Sequence, residues 1–196
     1  MAWKGESRLI RMRRIEAAQD GRTLEVKRKW VPLEAVSIHV IDAVVEHVDP
    51  RFFSHRGFDM TRIARAWKTN RKLRRRAMGG SSITAQLAKN LYFSLEKTYT
   101  RKVLEVPVTL WMELAWGKHR ILETYLNVAE WGDGVFGIEA AATEYFGIPA
   151  LEVDLRQACA LSAVLPNPRL WSPLRPTYYT LALAETLRRR VLARRE

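Results

Sequence analysis

Residues 79–90 read Gly-Gly-Ser-Ser-Ile-Thr-Ala-Gln-Leu-Ala-Lys-Asn, a pattern that predicts a glycine hinge followed by a helix. Glycines permit backbone angles that other residues resist, and serine is a favoured residue at a helix N-terminus. Apolar side chains then recur at a four-residue spacing: Ile83, Leu87 and Leu91. Ser82, Gln86 and Lys89 share a polar face, which predicts hydrogen-bond donors and a cation near an anion-attracting helix terminus. An ordinary amphipathic helix with a solvated polar face is the alternative.

Composition limits the classes of partner. The 196 residues suit one domain, or two lobes that share a core. The formal net charge of +12 predicts an anionic partner, which is a nucleic acid, an acidic membrane surface or a phosphate-bearing substrate. Helix-turn-helix, RNA-binding and zinc-finger signatures are absent, so we expect no nucleic acid. No stretch has the ~18 uninterrupted apolar residues of a membrane span. Cys159, in an apolar run, is expected to be a small buried side chain.

Apolar periodicity predicts a mainly α fold. The expected helices cover residues 33–47, 82–91, 100–117, 118–127, 138–146, 154–165 and 178–195, with one more that Asp59 caps. Residues 1–31 are expected to form a separate N-terminal segment, and residues 32–196 the main domain. In the first of these, Asp20-Gly21 lies between residues 8–17 and 22–31. Asp-Gly favours tight turns, which predicts a small β-hairpin.

A basic run ends the helix that Asp59 caps, and an aromatic segment follows residue 90. The basic residues are Lys68, Arg71, Lys72, Arg74, Arg75 and Arg76. They form either a solvated helix end or a patch that binds phosphates of a lipid or nucleic acid. The aromatic segment, residues 91–100, is expected to be partly exposed.

Several stretches, in order and spacing, resemble the motifs of one family. They are Asp49-x-x-Phe52-x-x-His55-x-Gly57-x-Asp59, Gly79-x-Ser81-Ser82-Ile83-Thr84-x-Gln86-x-x-Lys89-Asn90, Arg101-Lys102-x-x-Glu105 and Lys118-x-x-Ile121-Leu122-x-x-Tyr125-Leu126-Asn127. This is the peptidoglycan glycosyltransferase family, which comprises the transglycosylase domain of class A penicillin-binding proteins and the monofunctional biosynthetic transglycosylases. The resemblance begins at about Trp30, and the monofunctional branch is most similar because no transpeptidase domain follows.

The resemblance implies a lysozyme-like, two-lobed helical fold and the polymerisation of lipid II into glycan strands, with release of undecaprenyl diphosphate. The residues that match the family's substrate contacts are Phe52, Ser82, Gln86, Lys89, Asn90, Lys97, Arg101 and Lys102. Lys97 stands where arginine is usual, and Ala85 replaces a usual glutamine. Glu105 matches the second catalytic carboxylate, which acts at the diphosphate, often with Mg²⁺ or Mn²⁺. Read by spacing alone, Arg101 and Glu105 form an ordinary surface pair.

One position departs from the family pattern. The first motif normally opens with Glu-Asp, and that glutamate is the general base for the acceptor hydroxyl, but here the pair is Val48-Asp49. Because valine accepts no proton and a general base contributes about 10²–10⁴-fold, we expect little activity. Glu46, His47 and Asp49 are the neighbours available as substitutes. On a helix, Glu46 would point about 200° away from Val48.

Two functions therefore follow from the resemblance. The first is an impaired glycosyltransferase, and the second is a non-catalytic protein that binds lipid II or glycan strands within the cell-wall synthesis machinery. Either implies lipid II, a growing glycan strand and an anionic membrane surface as partners, together with other cell-wall synthesis proteins. The expected location is the periplasmic face of the inner membrane, where the chain is peripheral or held by an anchor outside this sequence.

Overall fold

Helices account for most of the computed structural model, which describes residues 5–74, 79–93 and 99–195, with the side chain of Tyr99 also outside the description. The helices are α1 (Arg8–Gln19), α2 (Ile38–Val48), α3 (Met60–Leu73), α4 (Ile83–Tyr92), α5 (Tyr99–Ala115), α6 (Lys118–Val128), α7 (Ile138–Phe146), α8 (Leu155–Val164) and α9 (Tyr178–Arg195). The mainly α prediction is confirmed, and the architecture fits the lysozyme-like fold that the resemblance implies. Within the described ranges, no helix is long and apolar enough to cross a bilayer.

Side-chain caps begin the two helices that the motifs single out. The Ser82 hydroxyl accepts a hydrogen bond from the Ala85 amide at 3.1 Å and starts α4. The Asp59 carboxylate accepts one from the Arg62 amide at 3.0 Å and starts α3. Each cap satisfies an amide that has no partner within its own helix, as the sequence predicted.

The predicted N-terminal hairpin is wrong. Residues 8–19 form α1, and Asp20 ends that helix while Gly21 takes a left-handed φ of +71°. The Asp-Gly pair therefore terminates a helix instead of joining two strands, because a left-handed glycine satisfies the last carbonyls of a helix. Leu9, Ile10 and Ala17 are buried along one face of α1, at a helical spacing.

The helix expected over residues 33–47 begins later than predicted. A single 3₁₀ turn covers Leu33–Ala35, and Val36 is extended with φ −112° and ψ 132°. The Ser37 hydroxyl then accepts a hydrogen bond from the His39 amide, and α2 begins at Ile38. A capping serine overrides the apolar periodicity here.

The main core lies among the central helices. α8 packs against α2 and α9, and α4 packs against α5 and α6. The largest completely buried side chains include Trp131, Tyr125 and Phe52. Cys159 is also buried, as predicted, and burial raises the pKa of its thiol to about 11.

A three-stranded sheet attaches the N-terminal segment to this core. The strands are β1 (Lys27–Arg28), β2 (Glu130–Gly132) and β3 (Val135–Phe136), in the order β1-β3-β2. β1 runs parallel to β3, and β2 runs antiparallel to it. At Gly134 the backbone has φ +77°, and a Cβ atom there would lie 2.2 Å from the Glu25 carbonyl oxygen. Only glycine therefore lets the N-terminal segment lie this close to the β2–β3 turn.

Substitution of Gly134 by alanine tests this close approach. A left-handed φ costs a non-glycine residue roughly 1–2 kcal/mol, and in Gly134→Ala the contact with Glu25 adds to that cost. The matched control is Gly147→Ala, which has φ +69° and open space around the new Cβ atom. We expect Gly134→Ala to lower the free energy of unfolding, measured in urea, clearly more than Gly147→Ala does. If both variants lose the same free energy of unfolding, the close contact of position 134 with Glu25 has no measurable steric cost.

Candidate active site

A cavity of about 460 Å³, called here the main cavity, lies between α4 and α5 and extends to α1. Its lining residues are Arg13, Glu16, Ser81, Ala85, Gln86, Lys89, Arg101, Lys102, Glu105 and Pro166. Five of the residues predicted to bind substrate or act on it, namely Gln86, Lys89, Arg101, Lys102 and Glu105, therefore meet in one place. Four of the lining side chains carry a positive charge and two carry a carboxylate, so the cavity favours an anion.

Gln86 and Lys89 come from one face of α4. The Tyr125 hydroxyl of α6 donates a hydrogen bond to Oε1 of Gln86 at 3.2 Å, which fixes the amide. Burial lowers the pKa of the Lys89 ammonium, and the neighbouring charge of Arg101 lowers it further, whereas Glu105 opposes that shift. A bound anion would favour the charged form of Lys89, because it offsets the repulsion from Arg101.

Arg101, Lys102 and Glu105 lie three and four residues apart on α5. The Glu105 carboxylate is buried and accepts hydrogen bonds from Arg101 and from Lys102, the latter at 2.8 Å. Lys102 also donates to the Ser81 hydroxyl at 3.1 Å, which connects α5 to the segment before α4. Because the carboxylate is buried, the group is not the ordinary surface pair that spacing alone allowed.

The divalent metal predicted at Glu105 stays a prediction. No cluster of three or more His, Cys, Asp or Glu side chains with metal-binding geometry occurs in the part of the chain that the structure describes. Glu105 offers one carboxylate, and two cations already contact it. The described side chains alone therefore do not make a Mg²⁺ or Mn²⁺ site, which requires several oxygen ligands.

Other predicted contact residues lie outside the main cavity. The Ser82 hydroxyl is buried and donates to the Gly57 carbonyl. Phe52 is buried, and the Lys118 ammonium lies 4.4 Å from its ring centroid. Asn90 is buried on α4. Their substrate contacts remain predictions, and Lys97 lies outside the described residues.

Val48 is the last residue of α2, and its side chain packs in the hydrophobic core. Its carbonyl accepts a hydrogen bond from Arg62. The next residue, Asp49, is completely buried, and both its oxygens lie 3.0 Å from Nε2 of His55. One of them also accepts a hydrogen bond from the Ile83 amide at 3.1 Å. This geometry favours a positioning role for Asp49, because its carboxylate connects the first motif to the start of α4.

Glu46 and His47, the other neighbours of Val48, line a different cavity. Glu46 pairs with Arg190 at 3.9 Å and with Arg194 at 3.0 Å, both on α9. Nδ1 of His47 donates to the Ser162 carbonyl at 2.8 Å. Glu46 lies two residues before Val48 on α2, so the two side chains point in different directions, as predicted. Neither Glu46 nor His47 lines the main cavity.

Two residues of the main cavity, Arg13 and Glu16, were not predicted from the sequence. Arg13 donates to Glu130 and to Glu16, each at 2.8 Å, and Glu16 also pairs with Arg169 at 3.1 Å. The Glu130 side chain is 4% exposed, and burial raises the pKa of its carboxyl although Arg13 opposes that shift. If residues 8–19 had been predicted as a helix, Arg13 would have been placed beside its buried face.

Comparison with known proteins identifies relatives along most of the chain. A family model described as Transglycosylase matches residues 16–195. A biosynthetic peptidoglycan transglycosylase from Rhodospirillum centenum is 46% identical, and the match covers 85% of this chain and 71% of the relative. One from Dechloromonas aromatica is 44% identical over 85% and 72% of the two chains. One from Chromohalobacter salexigens is 40% identical over 91% and 76%. The family match thus includes part of the N-terminal segment.

Removal of Arg13 tests whether α1 is held by its buried ion pair. Arg13→Met leaves the Glu130 carboxylate buried without its cation, and we expect a loss of about 2 kcal/mol, less than for a fully buried pair because Arg13 is partly exposed. The double variant Arg13→Met/Glu130→Gln should recover much of that loss. Arg14→Met is the control, since Arg14 is exposed and lies 3.4 Å from Glu6. Urea unfolding measures the free energy of unfolding of all three variants. If the double variant is no more stable than Arg13→Met, the pairing of Arg13 with Glu130 is contradicted.

Proposed function

The chain belongs to the transglycosylase family, and from this membership we propose that it binds lipid II and a growing glycan strand as an impaired peptidoglycan glycosyltransferase. The observation that carries the proposal is the convergence of Lys89, Arg101 and Lys102, with Gln86 and Glu105, on the main cavity. The family resemblance and the transglycosylase relatives support the same class of substrate.

The chemistry of the main cavity suits a diphosphate leaving group. Glycosyl transfer from lipid II develops negative charge on the diphosphate, and preorganised cations stabilise such charge. Glu105 holds Arg101 and Lys102 in place, so their charges are oriented before substrate arrives. Lys89 belongs to α4, which packs against α5, so both helices contribute cations to the main cavity.

The acceptor side of the reaction lacks an evident base. Deprotonation of the acceptor hydroxyl needs a proton acceptor at the position of Val48, where the side chain is apolar and buried. Asp49 is occupied by His55 and the start of α4, whereas Glu46 and His47 line another cavity. We therefore propose that substrate binding is retained and that polymerisation is slow.

The alternative is a non-catalytic protein that binds lipid II or glycan strands and acts with other cell-wall synthesis proteins. The same observation favours it, because a cationic cavity without a base can bind a substrate that it does not convert. The two functions differ only in turnover, so one assay separates them.

An exposed apolar face on α5 supports attachment to a membrane surface. Its large side chains are Val103, Leu104, Leu110, Trp111 and Leu114. At about 100° per residue they fall within roughly one third of the helix circumference. Lys102, at the edge of the main cavity, lies on the same helix. We propose that this face rests on an anionic membrane, where lipid II is anchored, and that the chain works at the periplasmic face of the inner membrane.

Restoration of a carboxylate at position 48 is the decisive test of function. We expect Val48→Glu to raise the rate of lipid II polymerisation by about 10²–10⁴-fold, since it supplies the missing proton acceptor, with lipid II binding unchanged. The matched control is Val48→Gln, which introduces a polar side chain of nearly the same size and shape but no basic carboxylate.

Two results would contradict the proposal of an impaired enzyme. In one, the unmodified chain already polymerises lipid II as fast as Val48→Glu. In the other, Val48→Gln is as fast as Val48→Glu. If lipid II binds tightly and Val48→Glu still produces no glycan, the non-catalytic function is favoured.

The membrane-facing role of α5 is tested with vesicles that contain anionic lipid. Leu114 is 85% exposed, and Leu114→Ser removes one apolar side chain from the proposed contact. Transfer of a leucine side chain out of water contributes about 1.5–3 kcal/mol, so we expect partition in a sedimentation assay to weaken by at least about tenfold. Leu170→Ser is the control, because Leu170 is 79% exposed on the segment between α8 and α9. Equal partition of both variants would contradict the assignment.

A further inference from the structure

A second cavity, of about 330 Å³, lies where the end of α2, the start of α3 and α9 meet, and we call it the arginine pocket. It shares no lining residue with the main cavity. Its charged lining residues are Arg51, Arg62, Arg65, Arg190, Glu46 and Asp59. No function proposed above uses it.

The four guanidinium groups come from three separate parts of the chain. Arg51 belongs to the loop after α2, Arg62 and Arg65 lie three residues apart on α3, and Arg190 belongs to α9. Like charges that converge on one cavity repel each other, and this repulsion is relieved when an anion binds between them. The convergence of distant segments distinguishes the pocket from a charge run along one helix.

The two carboxylates of the pocket both lie beside arginines, although Oε2 of Glu46 is buried and accepts no hydrogen bond from the described residues. Asp59 caps α3 and lies 3.5 Å from Arg51, whereas Glu46 lies 3.0 Å from Arg194 and 3.9 Å from Arg190. The distance to Arg190 exceeds that of a direct hydrogen bond.

Two of the arginines differ sharply in their contacts. Arg62 donates to the Val48 carbonyl. The Arg65 guanidinium makes no ion pair or hydrogen bond to any residue that the structure describes. The pocket therefore keeps donors that no described acceptor satisfies.

The charges of the residues that line the arginine pocket indicate the charge of its ligand. Four guanidinium groups against two carboxylates leave an excess of two positive charges. His47 also lines the pocket, but burial lowers the pKa of its imidazole, with the charges of Arg62 and Arg190 acting in the same direction. This lowered pKa favours the neutral imidazole at pH 7, although the hydrogen bond to Ser162 opposes the shift, so His47 is not counted in the balance. A phosphate monoester carries about −1.5 to −2 charges at pH 7, which matches the excess.

Geometry and volume agree with this choice. Guanidinium groups bind phosphate oxygens through paired, charge-assisted hydrogen bonds. A cavity of this size corresponds to about ten water molecules of liquid volume, which is enough for a phosphate group and part of its substituent. We propose that the arginine pocket is a binding site for a phosphate dianion, either free inorganic phosphate or the phosphate monoester headgroup of a lipid.

Inorganic phosphate is the first probe. It is titrated calorimetrically into the full chain in a chloride buffer of fixed ionic strength. Arg65→Gln should weaken one class of phosphate site about tenfold, since it removes a charge-assisted bond. Lys68→Gln is the matched control, because Lys68 is an exposed cation on the same helix that does not line the pocket. Lys89→Gln, in the main cavity, should leave this class of site unchanged.

Two results would overturn the proposal. The first is that Arg65→Gln and Arg190→Gln have no larger effect than Lys68→Gln. The second is that all phosphate binding disappears with Lys89→Gln, which would assign it to the main cavity. Neither result depends on lipid II turnover, so the proposed function can fail or hold independently. Arg65 is exposed, and its substitution should not prevent folding.

Vesicles distinguish the two sources of the phosphate. Zwitterionic vesicles that contain phosphatidate present a phosphate monoester, whereas those with an equal fraction of phosphatidylglycerol present a diester. If the ligand is a lipid headgroup, Arg65→Gln weakens binding to phosphatidate vesicles more than Lys68→Gln does, and more than it weakens binding to phosphatidylglycerol vesicles. If the ligand is free phosphate, both substitutions weaken vesicle binding equally while the calorimetric difference persists.

Discussion

The buried carboxylate of Asp49 is the contact on which the arrangement of the site depends. It accepts hydrogen bonds from His55 and from the first amide of α4, so three chain segments converge on one charged group. An anion is stabilised at a helix N-terminus, and the hydrogen bonds compensate for its removal from water. Asp49 therefore fixes α4, and with it Gln86 and Lys89, relative to the end of α2 where Val48 lies. The end of α2 at Val48 and the cationic cavity are thus positioned by the same carboxylate.

Positively charged side chains line two separate cavities of the molecule. The net charge of +12 is not spread evenly, since cations line the main cavity and the arginine pocket, each with four positive groups and two carboxylates. In the main cavity the carboxylate of Glu105 is buried and orients Arg101 and Lys102. In the arginine pocket, Arg65 has no such partner among the residues that the structure describes. The cations of the first cavity are thus held in place by the protein itself, whereas Arg65 in the second is not.

Local signals allowed most of the fold and much of the site to be predicted. Apolar periodicity and capping residues located α3, α4 and α9, because these features act within a few residues of the chain. The spacing of Arg101 and Glu105 predicted that their side chains meet, since positions four apart on a helix are neighbours. The N-terminal helix was missed because Asp-Gly suits both a hairpin turn and a helix end. The choice between them depends on tertiary contacts to β3 and Glu130, more than 100 residues away.

Contacts between distant segments also explain the remaining gaps in the prediction. Nothing local to Arg13 indicates that it lines a cavity with Lys89, and nothing local to Arg65 indicates that Arg190 lies across a pocket from it. Asp49 matched a motif, but its burial and its bond to Ile83 came only from the structure. Sequence patterns report which face of an element is apolar, and only the packed chain determines which polar groups meet.

The buried thiol of Cys159 has a chemical consequence of its own. With a pKa of about 11, only about one molecule in 10⁴ carries the thiolate at pH 7, and the thiolate is the form that reacts. The side chain is also shielded from solvent. Alkylating reagents and oxidants should therefore leave this native cysteine intact. Single cysteines introduced on the surface could then carry fluorescent or spin labels without prior removal of Cys159.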